Sequence, residues 1–326
     1  MNQAASQQRP LHILLPVMSQ SPFNRSIWTG FVDGFQSLGH TVEIVDATAI
    51  PDPASMHVRP DLLLAVHGGN VPVGNIRAFR TAGILTAVYL LDEPYEVDQS
   101  VEWAGHYDWA FSVDQATVPV HSKHTNAAFL PLAYNQSVFG PDGPAIASSI
   151  LVLGSPFSAR ETFLAALRDR WGELVTWVGP GWQQFSSAGK HFEQYVTPAD
   201  CARFYRGAGV VINIHRDSYW SHFGNLNKNR LEATHLNPRF WEASACKTVV
   251  LSSYRKDLET FAPRAPAFRT LEEFTNKLEY FIGNRKAREN AAQQLYNKIK
   301  KHTYQNRCRM VIDMLGLQPG DTRADQ

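Results

Sequence analysis

The chain has 326 residues, 44% of them hydrophobic, which supports two moderate domains with real cores and excludes a disordered chain. The formal net charge of +1 gives no electrostatic case for a nucleic-acid or anionic-membrane partner. No apolar run approaches the roughly 20 residues of a membrane-spanning helix, residues 1–10 lack the apolar stretch of a signal peptide, and Cys201, Cys246 and Cys308 are scattered without metal-ligand spacing, so a reduced cytoplasmic setting is expected.

A strand is expected over 11–17, then a polar loop through Pro22. A helix over 27–38 places Trp28, Phe31 and Phe35 on one face, and Gly39-His40 ends it before a strand over 41–45. Strands over 61–66 and 84–91 flank a helix over 73–82 and stop at His67 and Asp92. Strands over 109–112 and 128–132 close this first half, whose alternation predicts a parallel sheet. Residues 136–147 hold Gly140, Pro141, Gly143 and Pro144 without an apolar period, and read as a linker. The pattern then restarts with a strand over 149–153, a helix over 158–171, a strand over 174–178, a helix over 198–207 and a strand over 210–214. The polar loop 217–236, with Trp220 and His222, is long enough to be functional. A helix from Asn237 to Cys246, a strand over 248–251, a helix over 271–283 and a terminal helix over 286–315, broken once, complete the chain. The division is a first domain over 1–138, a linker over 139–147, a second domain over 148–316 and a flexible tail over 317–326.

In such sheets ligands bind beyond the C-terminal strand ends, so the residues there are the candidates. Asn237-Pro238-Arg239-Phe240-Trp241-Glu242 opens a helix, where free N–H groups and the dipole favour an anion. Arg239 offers a planar fork to phosphate. Glu242, about one turn further on, stays on the same side and suits the hydroxyls of a ribose; the plainer alternative is an acid balancing the dipole beside a surface arginine. After the first strand of the second half, Ser155 is placed to donate to a phosphate and Arg160 to reach a pyrophosphate, unless Ser158 is a plain helix cap and Arg160 is solvated. Neither G-x-G-x-x-G nor a P-loop is present. His215 and Arg216 end an apolar strand at the ligand edge. In the first half, His67 or Asp92 is the expected general base, with Glu93 beside Asp92; turn and capping roles are the alternative. His302-Thr303-Tyr304 with Arg307 reads as a structural clamp. Asp-x-Asp is absent, so diphosphate charge falls to Arg160, Arg239, His215 or helix N-termini, with no metal.

In this order, Asn213-Ile214-His215-Arg216, Arg239-Phe240-Trp241-Glu242-Ala243 and His302-Thr303-Tyr304 resemble motifs of the CgeB-like glycosyltransferases. Two positions depart from that pattern: Lys247 stands where the family usually has glycine, and Asp92-Glu93-Pro94-Tyr95 where it has a double aspartate before proline. The resemblance implies an α/β protein of GT-B type, two Rossmann-like domains with parallel sheets facing across a cleft. It implies transfer of a sugar from a nucleotide, without metal or other cofactor. The second half is expected to bind the nucleotide sugar and the first half the acceptor, which is a glycan, a lipid-linked sugar, a protein or a nucleobase. Two rivals remain: a non-catalytic two-lobed nucleotide- or sugar-binding protein, and a phage-type DNA-modifying glycosyltransferase, which would want a basic groove.

Overall fold

Strands that are apolar at nearly every position need cover on both faces, and helices supply it here. The computed structural model describes residues 9–18, 24–156, 160–219, 221 and 223–318. The first half runs β1 (His12–Val17), α1 (Arg25–Ser37), β2 (Thr41–Asp46), β3 (Leu62–Val66), α2 (Val73–Thr81), β4 (Leu85–Leu90), α3 (Val97–Ala104), β5 (Trp109–Ser112), α4 (Val118–His121) and β6 (Asn126–Phe129). These strands form a six-stranded sheet in the order β2-β1-β3-β4-β5-β6, parallel throughout. Every residue of β1 is buried.

The second half runs β7 (Ser148–Leu153), α5 (Glu161–Trp171), β8 (Val175–Val178), α6 (Trp182–Phe185), β9 (Lys190–Phe192), α7 (Pro198–Gly207), β10 (Ala208–Asn213) and α8 (Pro238–Ala245). It continues through β11 (Val250–Ser253), α9 (Asp257–Phe261), β12 (Ala267–Phe268), α10 (Leu271–Gly283), α11 (Arg285–Ile299) and α12 (Tyr304–Leu315). Its sheet, also parallel, has the order β12-β11-β10-β7-β8-β9. The order reverses between β7 and β10, so the segments leaving these two strands diverge and open a crevice.

Several boundaries differ from the expected ones. The last strand of the first sheet spans Asn126–Phe129, not 128–132: the Leu130 N–H makes the final bond to β5, donating to the Ser112 carbonyl at 2.9 Å, and Leu132 and Ala133 are buried beyond the strand. Likewise Thr248 and Val249 are buried ahead of β11. The short edge strand β9 has no apolar signal, since its outer residues are exposed. The loop through Pro22, the Ser158 cap, Trp220 and His222, and the tail after residue 318 lie outside the described residues.

The terminal helical stretch breaks at residues 300–303, where the Thr303 hydroxyl accepts from the Asn306 N–H at 3.2 Å and starts α12. That last helix leaves the second half and packs on α1 of the first. A Cβ on Gly30 would lie 2.3 Å from the Tyr304 ring, so only glycine allows this approach. Arg307 donates from Nε to the Pro131 carbonyl at 2.6 Å and from Nη2 to the Leu132 carbonyl at 3.0 Å. The clamp expected around His302 and Arg307 therefore ties the end of the chain to the first half.

Lys247 takes the left-handed conformation, φ 58°, just past α8. Its N–H donates to the Ser244 carbonyl and that of Thr248 to the Ala243 carbonyl, the closure usually made by glycine. The strain of about 1 kcal/mol is opposed by the favourable charge at a helix C-terminus, about 0.3–1 kcal/mol. Lys247→Gly should therefore be neutral or stabilise by less than about 1 kcal/mol, as read by chemical denaturation. A large destabilisation would mean the lysine holds a contact that outweighs its strain.

Candidate active site

Asp92, Arg160, His215, Arg216, Asn237 and Arg239 all line one cavity of about 260 Å³ between the two halves, together with Tyr95, His235 and Asn24. A larger opening of about 910 Å³ lies at the other edge of the second sheet, where β7 begins, and includes Lys247. The cleft, not that opening, holds the strand-end residues.

The helix start is built by a polar network. Asn237 caps α8, accepting from the Phe240 N–H at 3.2 Å, and its amide donates to Asn213 Oδ1 at 2.9 Å. Asn213 in turn donates to Ser252 Oγ at 3.0 Å. Arg239 donates to the Leu153 carbonyl at 3.1 Å, at the end of β7. It passes so close to Gly154, φ 127°, that a Cβ there would lie 2.2 Å from Nη1. Arg160 donates to the Ser155 carbonyl at 2.8 Å, so Ser155 enters the site through its backbone. Burial, with Arg239 and Arg216 nearby, pushes the Arg160 guanidinium well below its ordinary value. Burial also lowers Arg239. Both would gain from an anion placed between them.

His215 is buried, and that burial, reinforced by Arg255 and His235, drives its pKa well below the ordinary histidine value. Its Nε2 accepts from the Asn237 N–H at 3.4 Å, which leaves Nδ1 to donate to Ser253 Oγ at 3.0 Å. A neutral ring with both nitrogens engaged cannot meet diphosphate charge. His215 instead fixes Asn237, and the third cation of the cavity is Arg216.

Arg216 spans the cleft. Its Nη2 donates to Asp92 Oδ1 at 2.5 Å, and its guanidinium lies 3.6 Å from the centre of the Tyr95 ring. The other Asp92 oxygen lies 3.5 Å from His67 Nδ1. His67 itself has a left-handed backbone, φ 80°, and sets its ring edge against Trp103. His67 and Asp92 are thus joined as one unit, with side chains 26% and 33% exposed. Glu93 is different: it is fully buried, accepts from Ser100 Oγ and lies 3.2 Å from His121 Nε2. It cannot reach an acceptor, which removes it as a general base.

Glu242 does not line the cavity. It is buried, accepting from Ser26 Oγ at 2.7 Å and from the Tyr205 hydroxyl at 3.4 Å. Burial raises its pKa, partly offset by the Ser26 bond and Arg239. Tyr95 under Arg216 and Asn213 behind Arg239 stand in the sequence motifs without a role of their own, and sequence reasoning misses both Ser26 and Asp114, which binds Thr234 and His235 across the cleft. Asp114 sits two residues past β5, where the strand-end rule that finds His67 and Asp92 would have found it. Ser26 carries no such signal.

A glycosyltransferase involved in avilamycin A biosynthesis, AviGT4, superposes with a TM-score of 0.61 at 13% identity, covering 93% of this chain and 96% of its own. A trehalose-6-phosphate protein from E. coli, bound with UDP-2-fluoro glucose, gives 0.61 at 10% identity over 94% and 99%. The fold is GT-B, and a family described as glycosyl transferase-like matches residues 160–313. The chain is a glycosyltransferase. Within that class it is similar to the spore protein CgeB of Bacillus subtilis (strain 168), 22% identical over 254 residues, 74% of this chain and 78% of CgeB. Among the described residues no helix is long and apolar enough to cross a membrane.

Proposed function

We propose that the protein moves a sugar from a nucleoside diphosphate sugar, held by the second half, to an acceptor hydroxyl on the first, using neither metal nor another cofactor. The observation that carries this is the convergence of Arg160, Arg216 and Arg239 with Asp92 on one cavity at the reversal point of the second sheet. The arginines would bind the diphosphate and stabilise the charge on the departing nucleotide, usually the largest catalytic contribution. Asp92, oriented by His67 and Arg216, would take the proton from the acceptor hydroxyl. Glu242, buried behind the cavity, would accept the ribose hydroxyls only where they displace Ser26 from its carboxylate. A uridine nucleotide is favoured by the UDP-2-fluoro glucose bound in the E. coli relative. The three free thiols fit a cytoplasmic enzyme.

UDP in the presence of a chelator should raise the melting temperature by mass action. A shift that appears only after a divalent cation is added would overturn the metal-free assignment, and no shift with any nucleotide would overturn the donor assignment. In the same assay Glu242→Gln should weaken UDP roughly ten- to a hundredfold, the cost of a lost charged hydrogen bond. Wild-type affinity in a folded Glu242→Gln protein would remove Glu242 from the ribose.

A further inference from the structure

The segment before α8 is held by the opposite half. Asp114, at the end of β5, is completely buried. Its carboxylate accepts from the Thr234 N–H at 2.7 Å, the Thr234 hydroxyl at 3.0 Å and the His235 N–H at 3.1 Å, and lies 3.0 Å from His235 Nδ1. Among the described residues, only the Ala116 N–H, at 2.9 Å, comes from its own half. Other first-half carboxylates reach the same loop. Glu96 accepts from Ser221 Oγ at 2.9 Å, and Asp98 from the Lys228 N–H at 2.9 Å. A few residues beyond Thr234 come Asn237 and Arg239, the groups that face the phosphate cavity. Opening the cleft would strip this segment of four contacts and leave its two N–H groups to water.

We propose that Asp114 is a positioning residue for donor binding: it orders residues 234–239, so that the phosphate-facing groups of the second half are set only when the first half is docked. The inference rests on the donor assignment above for its ligand, but not for its geometry. A donor that binds the docked form must then pay for docking wherever docking is weakened, and its apparent Kd rises in inverse proportion to the docked fraction.

The test pairs two measurements on the full chain, UDP affinity by calorimetry and radius of gyration by solution scattering with and without UDP. Asp114→Asn keeps the size of the side chain but loses the charge that gathers four partners. It should remain folded, show a larger radius when free, return to the wild-type radius with UDP, and bind UDP about tenfold more weakly if a tenth of the molecules remain docked. Thr234→Val, which deletes one contact, should shift both quantities in the same direction by less, and serves if Asp114→Asn does not fold. Arg239→Ala should lose UDP affinity with no change in radius, which separates direct phosphate binding from positioning. Wild-type affinity and wild-type radius in both Asp114→Asn and Thr234→Val overturn the proposal. So does a larger radius that UDP does not reverse. If the wild-type protein binds no UDP, the donor assignment fails, while the radius of free Asp114→Asn still decides whether Asp114 holds the halves together.

Discussion

Asp92→Asn should slow sugar transfer by roughly 10²–10⁴-fold, the usual contribution of a general base, with UDP affinity changed little. Asparagine keeps an oxygen for Arg216 Nη2, so the contact across the cleft, 2.5 Å in the wild type, can persist. What it cannot do is accept a proton. The effect should therefore fall on turnover and not on donor binding, the pattern of a group that acts in the transition state. His67→Ala should have a smaller effect of the same kind, because His67 approaches Asp92 only at 3.5 Å and orients it. Release of UDP from a UDP-hexose, measured with and without added acceptor, gives the rate. Wild-type turnover in Asp92→Asn would remove Asp92 as the base, and the buried Glu93 could not replace it.

Gly154→Ala should abolish most donor binding. Two costs coincide at this position. The backbone stands at φ 127°, which residues with a side chain rarely adopt. The added methyl would also sit 2.2 Å from Arg239 Nη1, so the guanidinium must leave. Losing the charged contact of Arg239 with phosphate costs about 1.5–3 kcal/mol, or roughly ten- to a hundredfold in affinity. Calorimetry with UDP measures it directly. An alanine variant that folds and binds UDP like the wild type would show that Arg239 is not the phosphate ligand.

The two alternating halves were legible because strands covered on both faces announce themselves as apolar runs, and because Gly, Pro and Asn mark where each unit stops. The same rule found His67, Asp92, His215 and Arg216, which all end strands and all converge on the cleft. The helix opening at Asn237-Pro238 was legible as well, and the Asn237 side chain caps it. What could not be read was pairing across the cleft. Glu242 with Ser26, Asp92 with Arg216, and Asp114 with His235 join residues far apart in the chain, and no local period encodes such contacts. The ionisation of His215 was illegible for a related reason: a histidine at a strand end looks cationic until its burial and the Asn237 N–H are known.

The return of α12 to the first half has a consequence for biosynthesis. Tyr304, Cys308 and Val311 belong to the same apolar cluster as Phe31 and Phe35, so the first half emerges from the ribosome with its α1 surface uncovered and stays so until the last helix is made. Domains usually fold in the order of synthesis; here the part translated first is the part finished last. A nascent chain arrested before residue 304 would carry an exposed groove lined by Phe31 and Gly30, an adhesive surface for other unfinished chains. Once α12 docks, the polypeptide crosses between the halves twice, at the linker and again before Thr303, so each half is tethered to the other at two points.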